Sequence, residues 1–403
     1  MTYQRGRPIR LSLLLDYVAV GGAEVLLLNL FRNFDPAVVR PKLLCLKEAG
    51  SIAPDFEAAG VAVDVIGRSG RYDMRTVPRL VRWLRRDRTD VLLVTHLHLA
   101  ALTLGRIAAR LAGVPSVVAP HGMDNLAFTG VRCLPRHDVE TLFLSDALVL
   151  VAPSQGSYLR REEGVGRFPW RRIREVVIPN GIPLPPVATA ADRGWARAEL
   201  GLDEQDLVVG IVARLEPEKA HEVLFHVIAE LAPAIPRLRL VVVGDGARSA
   251  ELRALAEHLD LSSQVRFTGL RRDVQRLLPG FDVACLTSRY ECSPLAVIEA
   301  MAAGVPVVTA DVGAVRDMVT DGVEGYVVPP GDVGAFADRI ARLAQDAGLR
   351  RRLGAHGRDR AERDFDIEHT VAGFQRLLSS LVGVDGPGPC EGRDSTARRG
   401  ARP

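Results

Sequence analysis

Short apolar runs alternate with longer stretches of helical periodicity along nearly the whole chain. The runs that predict strands in the first half are IRLSLLL, PKLLCL, VAVDVI, VLLVT, PSVVA, ALVLV and REVVIP. The second half contributes DLVVGIVA, RLRLVVVG, QVRFTG, DVACLT and VPVVTA. Strands that are apolar throughout and separated by helices are typical of parallel sheets covered on both faces. Each half has enough strand–helix units for a doubly wound sheet, so the pattern predicts an α/β fold with two such sheets.

The alternation breaks at residues 179–194, PNGIPLPPVATAADRG, where four prolines and small residues indicate an interdomain linker. We therefore expect a first domain at residues 1–182 and a second at residues 183–365. The last helical pattern covers residues 366–382. Residues 383–403 are rich in Gly, Pro and Arg without an apolar period, and are expected to form a disordered tail. Two sheets joined by a hinge leave a cleft, the usual location of a ligand.

The composition narrows the class of protein and its location. The chain has 403 residues, 47% apolar and 25% charged, which fits a globular protein of more than one domain. A net charge of +3 gives no whole-molecule attraction to nucleic acid. Five scattered cysteines without a C-x-x-C pattern argue against a zinc site or a disulfide framework and favour a reducing compartment. The start resembles no signal peptide and no run reaches the ~20 apolar residues of a membrane span, so a cytoplasmic location is expected.

Two carboxylates occur where a core helix normally has none, within SRYECSPLAVIEAMAAGVPVVTADVGA at residues 288–314. Glu291 and Glu299 are eight positions apart, and Glu299 lies inside an apolar run. Because an unpaired buried charge is very costly, Glu299 needs a partner. Its carboxylate can accept two parallel hydrogen bonds from a diol, such as the 2′ and 3′ hydroxyls of a ribose. The alternative is an ion pair with an arginine beneath the helix.

The helix that carries Glu299 has clear end signals. Ser293 is a good N-cap, and Pro294 suits the first helical position. Gly304 fits the C-terminal end, so we expect a helix that begins at Ser293 directly after a strand and loop. The free amides of about residues 292–296 would then point into the crevice at the carboxyl end of the sheet. Such a helix terminus is a site for an anion.

Two cations are predicted to face this helix terminus. Arg214 and Lys219 follow the strand GIVA in the segment RLEPEK. Lys219 stands out because the chain has only three lysines, the others being Lys42 and Lys47. Taken alone, an Arg and a Lys in a loop are most often solvated surface residues. Together with the Glu pair and the anion-binding terminus, they favour a diphosphate site.

These motifs together resemble the retaining glycosyltransferases of family 4, nucleotide-sugar-dependent enzymes with the GT-B fold. The Glu-x7-Glu spacing of Glu291 and Glu299 continues into EAMAAGVPVV, a signature of that family. Further segments follow in the family's order: GGAEVLLLNL, IPNGI, RLEPEK, VVVGDG, VRFTG and DGVEGYVVPPGD. The match extends over residues 11–382. It implies two Rossmann-like domains that face a cleft, with the helix at residues 366–382 crossing back onto the first domain.

The resemblance implies a catalytic set of four residues. Arg214 and Lys219 would neutralise the diphosphate and stabilise the leaving nucleotide. Glu291 would contact hydroxyls of the donor sugar. His121, in the segment VVAPHGM at the end of a first-domain strand, matches the family's active-site histidine near the sugar.

The resemblance also implies how the nucleotide sugar is held. Gly21 and Gly22 would form a loop whose amides approach the diphosphate, since only glycine allows so close a backbone approach. Glu299 would bind the ribose, and amides at the helix start would complete the cradle. The full implied binding set is Gly21, Gly22, Arg214, Lys219, Cys292, Ser293, Leu295, Ala296 and Glu299.

The chain departs from the family pattern at two points. Cys292 and Ser293 follow the first glutamate, where members often have Gly or a bulky apolar residue. Ala220 follows Lys219 in place of the commoner Gly. Both departures affect the shape of the donor pocket, so they leave the identity of the donor open without challenging the class.

Two other segments resemble known ligand-binding motifs. The segment GDGARSAEL resembles a dinucleotide fingerprint, but Ser249 occupies its third glycine position. Residues 364–366, DFD, resemble a metal-binding D-x-D but are expected to form a surface loop. No metal or other cofactor is expected, because Arg214 and Lys219 would carry the charge that balances the diphosphate.

Two features could concern the acceptor or a membrane. His96 and His98 end a first-domain strand and could line an acceptor cleft, although a polar loop is the commoner role for such residues. Residues 75–88, RTVPRLVRWLRRDR, form a basic amphipathic stretch from Arg75 to Arg88 that carries Trp83. A solvated helix face is the simplest interpretation of this stretch. The alternative is a patch that docks on anionic lipid or grips an anionic acceptor.

The sequence therefore predicts transfer of a hexosyl unit from a UDP- or GDP-sugar to an acceptor hydroxyl, with retention of anomeric configuration. The acceptor is a glycan, a lipid or a small metabolite, and no nucleic-acid partner is expected. Peripheral contact with the inner face of the membrane is compatible with this predicted function. Two alternatives stay open: another GT-B enzyme, such as a nucleotide-sugar 2-epimerase or an inverting transferase, and an inactive nucleotide-sugar-binding module.

Overall fold

The chain folds around two parallel β-sheets, each covered by helices on both faces. The computed structural model describes residues 6–19, 21–70, 73–95, 99–123, 130, 132–167 and 173–384. A seven-stranded sheet is built from the first half of the chain and a six-stranded sheet from the second half. This confirms the predicted α/β class with two doubly wound parallel sheets.

The first sheet has the strand order β3-β2-β1-β4-β5-β6-β7, and all its pairs are parallel. Its strands are β1 (Ile9–Leu15), β2 (Val39–Cys45), β3 (Ala62–Val65), β4 (Val91–Thr95), β5 (Ser116–Ala119), β6 (Ala147–Leu150) and β7 (Arg174–Val177). The chain order reverses between β1 and β4. At such a switch point the loops at the carboxyl ends of neighbouring strands diverge and leave a crevice.

The second sheet has the strand order β10-β9-β8-β11-β12-β13, again with parallel pairs. Its strands are β8 (Leu207–Val212), β9 (Leu238–Val243), β10 (Val265–Gly269), β11 (Val283–Leu286), β12 (Val307–Ala310) and β13 (Gly325–Val328). The apolar runs predicted every strand of both sheets except β13. Here the switch point lies between β8 and β11.

Helices connect the strands in both halves. In the first half they are α1 (Gly22–Asn33), α2 (Ala53–Ala58), α3 (Thr76–Asp87), α4 (Leu99–Ala112), α5 (Arg136–Glu140) and α6 (Pro153–Arg161). In the second half they are α7 (Ala190–Glu199), α8 (His221–Leu231), α9 (Ser249–His258), α10 (Val274–Leu277), α11 (Leu295–Ala302), α12 (Val315–Met318), α13 (Val333–Gln345), α14 (Ala347–Asp364) and α15 (Ile367–Leu381). Short 3₁₀ turns occur at Leu142–Leu144, Pro217–Lys219 and Leu278–Gly280.

The linker prediction was too long at its C-terminal end. The predicted linker covered residues 179–194, but α7 begins at Ala190. The Thr189 side chain accepts a hydrogen bond from the Asp192 amide, and the Asp192 carboxylate accepts one from the Thr189 amide. This reciprocal capping box satisfies donors at the helix start, so the small polar residues after the prolines fold as a first helical turn.

The last helix, α15, packs on the first sheet although it follows the second in sequence. Its buried apolar side chains join the core of the first half: Ile367, Val371, Phe374, Leu377 and Leu378. At about 1.5–3 kcal/mol for each buried side chain, their burial is comparable to the whole stability of a typical domain. The first sheet therefore depends on a helix from the end of the chain.

Two segments cross side by side where the chain passes between the sheets. Ile182 and Asp366 form an isolated parallel bridge, and the Thr370 hydroxyl donates to the Pro179 carbonyl at 2.8 Å. A Cβ atom on Gly181 would lie 2.7 Å from the Asp366 carbonyl oxygen, too close for any other residue. Glycine therefore allows the two crossing strands to approach within contact distance.

Within the described part of the chain, no helix is both long enough and apolar enough to cross a bilayer. The predicted tail lies almost wholly outside the described residues, which end at residue 384.

Candidate functional site

A cleft of about 620 Å³ runs between the carboxyl ends of the two sheets. Its size falls within the range of about 300–1,000 Å³ that is common for ligand pockets. All eleven residues that the sequence singled out line it: Gly21, Gly22, His121, Arg214, Lys219, Glu291, Cys292, Ser293, Leu295, Ala296 and Glu299. Positions separated by up to 278 residues in the chain are thus brought to one cavity.

The helix behind the cleft begins two residues later than predicted. Ser293 is not the N-cap: α11 starts at Leu295, and Pro294 is the capping residue, with an extended ψ of 115°. The Ser293 hydroxyl instead contacts the Met318 sulfur at 3.7 Å. Gly304 lies just past the helix end with φ +71°, the left-handed conformation that glycine favours.

Glu299 lies one turn into α11 and faces the cleft. Among the described residues its carboxylate has no hydrogen-bond or ion-pair partner, so the alternative of an arginine beneath the helix is not what the structure contains. Desolvation by burial raises the pKa of Glu299 to about 7. The half-buried Glu299 carboxylate thus has acceptor capacity that is available to a ligand.

Lys219 and Glu291 form an ion pair in the wall of the cleft. Lys219 Nζ lies 2.5 Å from Glu291 Oε1, and both side chains are more than four-fifths buried. The Ser288 hydroxyl donates to the same Glu291 oxygen at 2.7 Å. The Thr287 hydroxyl donates to the Lys219 carbonyl at 3.0 Å, which ties the loop after β11 to the turn after β8. The two loops are therefore held together by this hydrogen bond as well as by the ion pair between Lys219 and Glu291.

Arg214 is the more exposed cation of the cleft. Its guanidinium donates to Glu218 Oε1 at 2.9 Å while the side chain stays 61% exposed. Across the cleft lies Glu24 in the first turn of α1. Burial raises the pKa of Glu24, and the positive charge of Arg214 partly offsets that effect. Arg214 itself can therefore turn toward an anion in the cleft at little cost, although Glu218, whose side chain is only 18% exposed, would lose its partner.

The glycine pair opens α1 on the first-half side. Gly21 is the capping residue and has an extended φ of −160°, so its backbone angle alone does not require glycine. A Cβ atom there would lie 2.4 Å from Glu24 Oε2, so a larger residue would only require the flexible Glu24 side chain to move. A Cβ on Gly22 would lie 4.0 Å from Leu295, at the opposite wall of the cleft. The two halves approach each other closely at this point.

His121 follows β5 and lines the first-half wall. Desolvation by burial lowers the pKa of its imidazole to about 4. The ring is therefore neutral at pH 7, with one nitrogen that donates and one that accepts hydrogen bonds.

Sequence reasoning missed two residues that line the cleft and a third that is buried beside it. Glu24 was not assigned a role because an acidic residue in a first helical turn ordinarily balances the helix dipole. Asn180, within the motif IPNGI, donates from its side chain to the Ser293 carbonyl at 3.4 Å across the two halves. Gln155 also bridges the halves, through the contact of its side-chain nitrogen with the Cys292 sulfur. Only the folded contacts reveal the roles of the last two, since the IPNGI motif marks the segment of Asn180 without assigning its side chain and Gln155 lies in no motif.

Some predicted features lie away from the cleft or outside the described residues. His96 and His98 fall outside the described residues. The D-x-D segment lies at a helix junction, where Asp364 ends α14 and Asp366 caps α15. No group of three or more His, Cys, Asp or Glu side chains suited to a metal ion occurs in the described parts of the chain.

The basic stretch at residues 75–88 forms α3, which packs one face on the first-half core. Trp83 does not point to solvent as a membrane anchor would. Its indole nitrogen donates to Asp64 at 3.2 Å, and Lys42 Nζ lies 5.3 Å from the ring centre. The exposed face carries arginines instead: Arg75, Arg82, Arg85, Arg86 and Arg88.

Two family models match the chain and together cover most of it. Residues 192–360 match the model described as glycosyl transferases group 1. Residues 21–181 match a glycosyl transferase 4-like domain. The first match contains Arg214, Lys219, Glu291 and Glu299, so the residues that line the second-half wall are those of the matched region.

Two curated proteins are similar over most of their length. A putative glycosyltransferase EpsF of Bacillus subtilis is 30% identical over 337 residues, which is 80% of this chain and 85% of that protein. The UDP-Gal:alpha-D-GlcNAc-diphosphoundecaprenol alpha-1,3-galactosyltransferase of Escherichia coli is 27% identical over 320 residues, 77% of this chain and 80% of that protein.

The fold is shared with a solved structure. Anabaena Alr3699/HepE, crystallised in complex with UDP-glucose, superposes with a TM-score of 0.79 at 22% identity. The superposition covers 92% of this chain and all of that protein. At this identity the likeness concerns the fold alone.

Proposed function

The chain belongs to the group 1 glycosyltransferases and has the GT-B fold, and from that premise we propose that it is a retaining UDP-sugar-dependent hexosyltransferase. The proposed reaction moves the hexosyl unit to an acceptor hydroxyl, with formation of the new glycosidic bond on the face from which the nucleotide leaves. The free nucleotide diphosphate is the second product.

One observation carries the proposal: complementary partners for the diphosphate, the ribose and the sugar of a nucleotide sugar converge in a single cleft. Arg214 and Lys219 supply positive charge for a diphosphate beside the amides at the start of α11. Glu299 supplies a desolvated carboxylate, without a partner among the described residues, for a diol. His121 and Glu291 lie where polar groups of a sugar could be held.

Likeness to named proteins supports UDP over GDP as the nucleotide. The Escherichia coli relative is named for a UDP-galactose donor, and the Anabaena structure was solved with UDP-glucose. GDP-sugars share the diphosphate and ribose that the cleft fits, so they are the donor to compare directly.

The mechanism we propose needs no nucleophile from the protein. As the bond between sugar and diphosphate breaks, negative charge grows on the leaving oxygen. Arg214, Lys219 and the α11 amides stabilise that charge from fixed positions. The β-phosphate accepts the proton of the acceptor hydroxyl, while the neutral His121 ring and Glu291 orient the sugar. Closure of the two halves around the donor would exclude water and limit hydrolysis.

The experiment that tests the proposal begins with a thermal-shift titration with UDP, GDP, ADP and dTDP. UDP at 100 times its Kd should stabilise the protein by about 2.7 kcal/mol. The preferred nucleotide then selects the sugar donors, and turnover is followed by nucleotide release with EDTA or with Mg²⁺. NMR of the product gives the anomeric configuration.

Each alternative predicts a different result in the same experiment. An inverted product would identify an inverting transferase, and a donor converted to its epimer without acceptor would identify an epimerase. Stabilisation by UDP with neither transfer nor donor hydrolysis would favour the inactive binding module. No shift with any nucleotide would contradict the proposal.

We further propose that α3 brings the enzyme to an anionic membrane surface, where a lipid-linked acceptor would be available. The support is charge complementarity: three arginines of α3 and the two that cap its ends are exposed, and Met74 beside the helix is 85% exposed. The name of the Escherichia coli relative describes an acceptor linked to diphosphoundecaprenol.

Removal of two of these arginines should weaken vesicle binding. Each arginine near an anionic surface contributes about 1 kcal/mol, so Arg82→Ala with Arg86→Ala should lower affinity roughly 30-fold for phosphatidylglycerol vesicles in a sedimentation assay. A matched variant removes Arg351 and Arg352, two exposed arginines on α14. Equal vesicle binding by all three proteins would contradict the membrane proposal.

A further inference from the structure

Gln155 connects the two halves of the cleft at a point that no motif marks. It lies in the first turn of α6 and is fully buried, with 0% of its side chain exposed. Its amide makes contacts in three directions, to the backbone before α6, to the loop after β5 and to the loop after β11. A buried glutamine with all its polar atoms engaged is fixed in one orientation.

The orientation of the amide follows from its partners. Gln155 Oε1 accepts from the Val151 amide at 2.9 Å. Its Nε2 therefore faces two carbonyl oxygens, donating to Pro120 at 2.8 Å and to Gly122 at 3.3 Å. Because carbonyl oxygens can only accept, the opposite orientation of the amide would leave both without a donor.

Those two carbonyls belong to the residues on either side of His121. The Gln155 amide thus holds the backbone before and after the histidine that lines the sugar end of the cleft. A residue that fixes both sides of a neighbour restricts the direction in which its side chain points.

The same Gln155 nitrogen lies 3.2 Å from the Cys292 sulfur. Cys292 directly follows Glu291 in the second half, yet its side chain is buried in a core cluster of the first half. The Ala314 amide donates to the Cys292 carbonyl at 2.8 Å, and a Cβ atom on Gly313 would lie 2.2 Å from the Glu291 carbonyl oxygen. Gly313 and Ala314 therefore pack closely behind the loop that carries Glu291. Because Gln155 belongs to the first half and Cys292 to the second, their side chains are in contact only when the halves are closed.

We propose that Gln155 is a positioning residue. Its hydrogen bonds fix the orientation of His121, and its contact with Cys292 places His121 beside the loop that carries Glu291 when the cleft closes. The inference rests on the proposed function, in which His121 and Glu291 hold the donor sugar. It assigns to Cys292 a side-chain role in this chain, at a position where the family commonly has Gly or a bulky apolar residue. Nucleotide binding by the second half would not depend on Gln155.

The test is the Gln155→Leu variant, with Tyr158→Phe as the matched control. Tyr158 lies on the same helix, is equally a buried hydrogen-bonding side chain, and reaches Glu163 rather than the cleft. We expect Gln155→Leu to lower kcat about 10- to 100-fold, because small misplacement of a catalytic group has effects of that size. The Kd for UDP should stay within about twofold of wild type, and the control should change neither. If Gln155→Leu does not fold, Gln155→Met keeps an unbranched side chain of similar length and removes the amide without adding a charge.

A double-mutant cycle distinguishes positioning from general destabilisation. If Gln155 acts through His121, Gln155→Leu should have almost no further effect on kcat in a His121→Ala background. Full additivity, or a Gln155→Leu enzyme with the kcat of the Tyr158→Phe control, would overturn the inference.

A measurement without substrate keeps this inference separate from the proposed function. In ligand-free protein with isotope-labelled histidines, the His121 ring signal is identified by its absence in His121→Ala. It should move in Gln155→Leu and stay in place in Tyr158→Phe. An unmoved signal overturns the positioning role even if transfer is observed. A moved signal with no transfer by wild type supports the positioning and contradicts the proposed function instead.

Discussion

Replacement of Lys219 with alanine should lower turnover about 100- to 1,000-fold while the protein stays folded. The reason is that Lys219 is fixed in the wall of the cleft, where it would stabilise charge that grows on the leaving diphosphate. Its removal also leaves Glu291, whose side chain is 11% exposed, without its cation. A negative charge would then face the diphosphate in place of a positive one. Turnover with saturating donor, measured as nucleotide release, checks this.

The chain offers an unusually close control for that variant. Lys42 forms an ion pair of the same 2.5 Å length with Asp87, but on the first half beside Trp83 and away from the cleft. Lys42→Ala should therefore reproduce the loss of a partly buried ion pair and leave turnover within about twofold of wild type, since such pairs contribute to stability rather than to chemistry. Near-wild-type turnover by Lys219→Ala would contradict the assigned leaving-group role.

Most of the fold could be predicted because most of its strands are buried on both faces, the most exposed being the edge strands β3, β7 and β10. β1 and β4 coincide with the apolar runs residue for residue, since no solvent-facing position interrupts them. β13 was missed because its run GYVV begins with a glycine and is followed directly by two prolines, both of which normally mark turns. The ends of elements were less predictable. Ser293 has the sequence of an N-cap, yet its hydroxyl contacts Met318, a residue that only the tertiary fold brings near.

The candidate site, like the fold, could be predicted from the sequence only in part. Arg214, Lys219, Glu291 and Glu299 could be located from the sequence, because charges at strand ends and inside an apolar helix contradict the local pattern. Gln155 could not, since a glutamine in a first helical turn is ordinary and its partners are backbone carbonyls and a sulfur from distant segments. Contacts between the two halves could not be predicted from the sequence.

Glu299 gives the second large expected effect, a pH dependence of donor binding. Desolvation raises the pKa of Glu299 to about 7, so the carboxylate is ionised above that pH and protonated below it. Only the ionised form accepts both hydrogen bonds of a diol. The affinity for a UDP-sugar should therefore be full near pH 8 and fall by up to about tenfold for each pH unit below 7. A UDP-sugar is the better probe than UDP, whose terminal phosphate itself titrates near pH 6.

Calorimetric titration of wild type and Glu299→Gln between pH 5.5 and 8.5 separates this carboxylate from its neighbours. The amide does not titrate and cannot accept from both hydroxyls, so the variant should bind weakly at pH 8 and show no further loss at lower pH. His121 stays neutral throughout, because its pKa of about 4 lies below the range. Glu24 also lines the cleft with a raised pKa, so Glu24→Gln is the control that should keep the wild-type slope. A slope that persists in Glu299→Gln and disappears in Glu24→Gln would transfer the diol-binding role away from α11.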